Sequence, residues 1–345
     1  MLFPDKKVVG MEMEVQENKV LTSIMHFVIG NPILTLIILL FAGACLFVPK
    51  FLTPFNLQNF VLQAIDIAIV AMGVTFVVLN GGIDFSCTAV LSLGSVMCAY
   101  FMAKSPLAGT PFGIPAGILA ALVVGLIIGA WNGFSIVVLK MPSFIATLAS
   151  MMVGIGFAVY FVSIVSETAA INRLPREFFI VGGDQGRIII PILITLVVAG
   201  VTHWLLNSTI FGRRLYATGT NPRTSFISGV PVKKTIFMIM VISGLLAGIE
   251  AVYATARNQS GLPSLGEKVF IDIIAAIIIG GTSIFGGSGG IKQTIYGVVF
   301  ITLMNNVVNL LGVDWTIIGL LKGVLVLVAA FIDVVSRRLE LMRNW

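Results

Sequence analysis

An all-α polytopic membrane protein with about ten transmembrane helices and both termini cytoplasmic is what this sequence predicts. Three observations carry the prediction. Of 345 residues, 58% are hydrophobic and only 10% charged, against roughly 25% charged in a soluble domain. The apolar residues gather in runs long enough to cross a bilayer core of about 30 Å. Glycine, with 36 residues, is scattered through those runs, where small residues let helix backbones approach closely in lipid.

The chain divides into a cytoplasmic N-terminal tail (1–30), a transmembrane domain (31–336) and a basic cytoplasmic tail (337–345). The first tail is mixed in charge, with Glu12, Glu14 and Glu17, and shows no cleavage-site pattern. The expected spans are Pro32–Val48, Leu57–Leu79, Ser86–Met102, Ile114–Leu139, Ser143–Ile164, Ile188–Leu206, Ile236–Thr255, Phe270–Ile284, Ile295–Leu311 and Thr316–Val335. A polar interval at 166–187 has room for a short amphipathic piece around Arg173–Ile180. An even number of spans puts both ends on one side. Lys140, Lys292, the 207–235 loop and the C-terminal arginines then share the inner side, as the positive-inside rule requires. The net charge of +6 therefore marks membrane orientation, and no nucleic-acid partner is expected. Gly73, Gly125, Gly129, Gly133, Gly154, Gly156, Gly244 and Gly248 are read as close-packing positions.

The inner loop 207–235 has its own punctuation. It carries Arg213, Arg214, Arg223, Lys233 and Lys234 and no acid. Asn221 suits an N-cap, Pro222 the first helical position, and Gly229 the left-handed residue past a helix end. Between them Arg223, Thr224, Ser225, Phe226, Ile227 and Ser228 make about two turns.

Ionisable groups inside a membrane are expensive and mark function by default. Asp66, Glu250, Asp272 and Lys322 fall within spans, and Asn305 and Asn306 add amides. Most sit at a similar depth in the outer half, with Asp272 nearer its span's outer end. They are read as the polar lining of a hydrated substrate pathway suited to a polyhydroxylated solute. The alternative is that Lys322 pairs with one of the acids and ties helices together. Two glycine-rich turns lie toward the inner side, with Gly81, Gly82 and Asp84 in one and Gly280, Gly281, Gly286 and Gly287 in the other. Asp84 is read as the N-cap of the third span.

No G-x-x-x-x-G-K-[ST] occurs, so this chain is not expected to hydrolyse ATP through a P-loop. No nucleophile sits with a base, which argues against an enzyme with catalytic residues. Cys45, Cys87 and Cys98 read as packing residues, and His26 and His203 are far apart, so no metal site is expected.

Four stretches in order carry a resemblance. They are GGIDFS (81–86), WNGFSIVVLKMPSFIATLASM (131–151), FGRRLYATGTNPRTSFISGVPVKKT (211–235) and IAAIIIGGTSIFGGSGG (274–290). Over residues 30–338 the chain is similar to permease subunits of the ribose and simple-sugar branch of bacterial ABC importers, a group related to branched-chain amino-acid permeases. The resemblance implies a sugar-transport subunit of the bacterial inner (plasma) membrane. It implies a second permease, identical or paralogous, and an extracytoplasmic solute-binding protein. ABC ATPase subunits would bind ATP and Mg, leaving no cofactor in this chain. Asn221–Gly229 would be the helix that couples to the ATPase.

The chain departs from the family pattern at several places. Phe85-Ser86-Cys87-Thr88 stands where Leu-Ser-Val-Gly is usual. Phe270 replaces a common acid, Glu250 a small residue, and Pro142-Ser143 a proline pair. These leave the solute open: an amino acid, a nucleoside or a sugar-derived signal is the alternative to a sugar. An ion-coupled secondary transporter is the further alternative.

Overall fold

Apolar runs bounded by Gly, Pro and Asn produce helices almost where the sequence places them. The computed structural model describes residues 32–267 and 269–313, with residues 317, 319, 320, 322–324, 327, 328 and 331 of the last segment. The 1–30 tail, most of the expected span Thr316–Val335 and the 337–345 tail lie outside the described residues. The helices are α1 (Pro32–Phe47), α2 (Pro54–Leu79), α3 (Ser86–Ala103), α4 (Gly113–Val137), α5 (Ser143–Val165) and α6 (Ile189–Ser208). They continue with α7 (Ile210–Thr220), α8 (Pro222–Ile227), α9 (Val232–Asn258), α10 (Phe270–Ile279) and α11 (Ile291–Leu310). Six of them, α2 to α6 and α9, are long and apolar enough to cross a membrane; α1 and α10 are shorter apolar helices. Among the described residues the only β-type pairing is the antiparallel bridge between Ile171 and Gly261. The chain is a multi-pass, nearly all-helical membrane protein.

The helices form an inner and an outer set. In α2 and α3 most of the apolar stretch is buried inside the protein, 78% and 72%, whereas in α5 and α6 only 17% and 22% is. The inner set is α2, α3 and α9. The outer helices turn Leu, Ile, Val and aromatic side chains outward, as Trp131, Val153, Tyr160, Val197 and Trp204 do, which suits lipid.

At the centre, α9 packs on α4, α2 and α3. Its seam with α4 is made by small residues. A Cβ at Gly125 would overlap the Gly244 carbonyl, one at Gly129 would lie 2.5 Å from the Met240 oxygen, and one at Gly248 would lie 2.9 Å from the Ala121 oxygen. The Gly125–Gly129–Gly133 stripe therefore faces α9, which is the close approach that replaces the hydrophobic drive in lipid. Gly73 and Gly154 are also closely packed, but Gly156 has nothing within 4 Å of where a side chain would begin. It points off the outer face of α5 and packs against no other described helix of this chain.

Three expectations are corrected. The interval 207–235 is not a loop holding one helix but two successive helices. Thr209 caps α7 by accepting from the Gly212 N–H at 3.3 Å, and α7 runs directly into α8. The amphipathic piece forms as a 3-10 segment shifted to Arg176–Gly182. The span expected at Phe270–Ile284 is only the ten-residue α10, about 15 Å long, or half a bilayer crossing. The segment before it supplies the rest. Gly261 lies against Ser95, Val96 and Ala99 of α3, and Gly266 against Thr88. The chain thus descends along α3 as irregular backbone before α10 begins, which puts Asp272 beside Asn305 of α11.

Candidate functional site

The site has one end built on α7 and α8 and a polar interior beyond it. In α8 the Asn221 Oδ1 accepts from the Arg223 N–H at 3.1 Å and the Thr224 N–H at 3.0 Å. Pro222 takes the first helical position, where its missing N–H costs nothing. Gly229, at φ 80°, ends the turn. This is the capped element expected from sequence, with Ser228 as its C-cap. Ser225 packs inward, while Phe226 and Ile227 are 70% and 77% exposed. Two large apolar side chains thus stand exposed on a short capped helix that also carries Arg223.

Beneath α8, α7 joins both glycine turns. The Gly287 N–H donates to the Leu79 carbonyl at 2.9 Å. A side chain at Gly219 of α7 would overlap that same carbonyl and come within 3.0 Å of the Gly287 nitrogen. Gly286, at φ 82°, sits where a Cβ would lie 2.7 Å from the Gly81 nitrogen and 3.0 Å from the Gly219 oxygen. Only glycine fits such backbone-to-backbone contact at positive φ. The Tyr216 hydroxyl of α7 donates to the Gly289 carbonyl at 2.8 Å; burial pushes this phenol's pKa up, which keeps it the donor that the contact needs. Gly280 and Gly281 end α10, and Gly81 and Gly82 end α2, on the same side of the junction.

Asp84 reaches the other way. Its Oδ1 accepts from the Ser86 N–H at 2.9 Å and the Ser86 hydroxyl at 2.5 Å. Its Oδ2 accepts from the Ser243 hydroxyl at 2.6 Å. Phe85 holds the N-cap position of α3, so Asp84 caps from one residue earlier and also ties the turn to α9. The same turn meets α5, where the Thr147 hydroxyl donates to the Ile83 carbonyl at 3.1 Å. Movement of α7 therefore has a covalent and hydrogen-bonded route into α2, α3, α5, α9 and α10.

Of the six expected pathway residues, the structure brings Asp272, Lys322 and Asn305 together, and each of the others has its own surroundings. Asp66 forms an ion pair with Arg257, joining α2 to α9. Asp272 pairs with Lys322 at 2.6 Å and accepts from the Asn305 amide at 3.1 Å. Asn306 exchanges amide hydrogen bonds with Asn56 at 2.9 and 3.0 Å. Glu250 is buried to 1% exposure, and its Oε2 has no hydrogen-bond partner. The sequence reading missed Arg257 because it ended the seventh span at Thr255, whereas α9 continues to Asn258. It missed Asn56 because the second span was begun a turn too late. It also missed the Thr75–Thr294 hydroxyl pair at 2.7 Å that joins α2 to α11, since threonines in apolar runs carry no charge signal.

Among the described residues no cluster of three or more His, Cys, Asp or Glu is placed to hold a metal. Residues 56–332 match the family model for the branched-chain amino acid transport system / permease component. The ribose import permease protein of Bacillus subtilis (strain 168) is 39% identical over 289 residues, 83% of this chain and 86% of its own length. The L-arabinose transport system permease protein of Escherichia coli (strain K12) is 32% identical over 85% of this chain and 87% of its own. The D-allose transport system permease protein of the same strain is 32% identical over 82% and 84%. No solved structure matches the chain. With four fifths of its length aligned to these proteins, the chain belongs to the permease family of branched-chain amino acid transport systems, alongside the ribose, arabinose and allose permeases.

Proposed function

We propose that this chain is the membrane-spanning subunit of an ABC importer that carries a sugar or sugar-like solute into a bacterial cell by alternating access. About ten spans, with both termini cytoplasmic, would place α7 and α8 inside. ATP and Mg would be bound by separate ATPase subunits, with a second permease and an extracytoplasmic solute-binding protein completing the assembly. The observation that carries the reading is the α7–α8 arm. It offers exposed Phe226 and Ile227 to a partner and is joined at Gly219 to both glycine turns. A rigid arm that meets several helices at one junction can convert the closure of a docked partner into helix tilting. The names of the ribose, arabinose and allose permeases support the solute class.

In this reading Asn221 to Gly229 form the ATPase contact. The ties Asp66–Arg257 and Asp272–Lys322 border the pathway and hold it in its present state. The test is Phe226→Ser in the co-expressed importer. We expect membrane insertion to be retained, with sugar uptake and solute-stimulated ATP hydrolysis lost together. Uptake within twofold of the unaltered importer would remove α8 from the coupling role. Uptake that survives deletion of the ATPase and collapses with an uncoupler would instead identify an ion-driven transporter.

A further inference from the structure

The re-entrant segment that follows α9 has a floor and a wall that the coupling arm does not use. Its backbone enters the bundle from the end opposite α8 and runs down α3 from Ala99 to Thr88, a descent of about 16 Å at 1.5 Å per residue. Hydroxyls of α3 meet its amides. The Leu262 N–H donates to Ser95 Oγ at 3.2 Å, and the Gly266 N–H to Ser92 Oγ at 3.2 Å. At this depth Ser264 and Glu267 are nevertheless exposed. Irregular backbone and a carboxylate halfway through a bilayer are tolerated against protein or water, not against lipid.

Just below Glu267, Phe270 opens α10 and stacks on Phe85 ahead of α3. The ring centroids are 4.8 Å apart with 27° between planes, and both residues are half-buried. Each ring stands at the start of a helix that begins inside the bundle rather than at its edge. An aromatic surface with a few polar groups above it is the composition of a small-molecule site. It fits a ring with one C–H face, which lies on the aromatic carbons, and hydroxyls at its rim, which reach the carboxylate.

We propose that Ser264 and Glu267 wall a water-filled solute path and that the Phe85–Phe270 stack is its floor, selecting cyclic polyhydroxylated solutes. The solute class rests on the function proposed above; the water-filled path does not. The first test is Glu267→Cys in the whole importer, in right-side-out membrane vesicles, with a membrane-impermeant thiol reagent. Reaction above that of the unaltered chain is expected, because Cys87 and Cys98 are buried and Cys45 is partly so. No reaction above that background overturns the path, whatever the solute. The second test compares Phe270→Leu with Phe270→Tyr. Uptake of labelled ribose, arabinose or allose is expected to fall about tenfold in the leucine variant, the upper end of an aromatic contact, and to persist in the tyrosine variant. Uptake within twofold for Phe270→Leu overturns the role of the stack. Reaction at residue 267 with no uptake of any of the three sugars by the unaltered importer supports the path and sinks the sugar reading.

Discussion

The two faces of α9 are held by different physics. Toward α4 the contact is made by missing side chains: Gly244 and Gly248 meet Gly125, Gly129 and Ala121 backbone to backbone. Toward α2 and the turn that follows it, polar ties are added to a close approach of Gly73 to Ser243 and Leu246. Ser243 donates to Asp84, the Tyr253 hydroxyl donates to the Leu62 carbonyl at 3.0 Å, and Arg257 pairs with Asp66. Volume-limited contacts have one good arrangement, because any slide meets a carbonyl. Hydrogen bonds and ion pairs can be exchanged for others, or for water, at small net cost. The difference makes the α4–α9 contact the more rigid of the two and the polar ties between α2 and α9 the more exchangeable.

Arg257→Ala should give the largest loss. It leaves the Asp66 carboxylate, with a side chain only 24% exposed, without its counter-ion. Breaking such a pair from one side costs about 3 kcal/mol. Thermal unfolding of the detergent-purified protein reads the loss, and Arg257→Leu combined with Asp66→Leu should recover most of it. If the double variant is no more stable than the single one, the contact is not an exchangeable tie.

Gly125→Ala attacks the other face. The new methyl overlaps the Gly244 carbonyl, and overpacking of this kind costs about 2 kcal/mol. The same melt should show it, with uptake falling only as far as folded protein is lost. Wild-type stability in this variant would mean that α4 and α9 can part and that their contact is not the more rigid one.

These two faces were unequally legible in the sequence. The glycine stripe could be read because spacing on a helix is local, and Gly125, Gly129 and Gly133 recur every four residues. The capped α8 could be read for the same reason: Asn221, Pro222 and Gly229 act on neighbouring backbone. Helix α7 was hidden because Arg213, Arg214 and Thr218 look like loop residues until Thr209 is seen to cap them. The pairing of Asp66 with Arg257 and of Asp272 with Lys322 could not be read from order alone, since four ionisable groups in separate helices admit several pairings. The stacking of Phe85 on Phe270 joins two positions noted separately as unusual. Their contact exists only because the chain re-enters along α3, a path that hydropathy, which averages over a span, does not register.

Glu250→Leu should act in the opposite direction on stability. The helix spacing puts Glu250 on the same face as Ser243, Tyr253 and Arg257, against α2. It is buried, and its Oε2 has no partner. Replacing a buried, incompletely satisfied polar group with an apolar one of similar size gains about 1 kcal/mol. A higher melting temperature together with lower uptake would show that Glu250 is retained for the pathway at a cost in stability. A higher melting temperature with unchanged uptake would remove it from the pathway residues.

The smallest effect is expected at Gly156, where the substitution made at Gly125 should reverse its sign. Gly156 lies in the middle of α5, on its exposed side, with nothing within 4 Å of a new Cβ. No carbonyl stands in the way, so only the backbone term remains. Alanine restricts the unfolded chain and favours the helix, worth about 0.5 kcal/mol or somewhat more. Gly156→Ala should therefore melt at or slightly above the temperature of the unaltered protein, with uptake unchanged. A loss comparable to that of Gly125→Ala would mean that a second chain packs on α5 as closely as α9 packs on α4. That outcome would place the permease–permease contact on this face of the molecule.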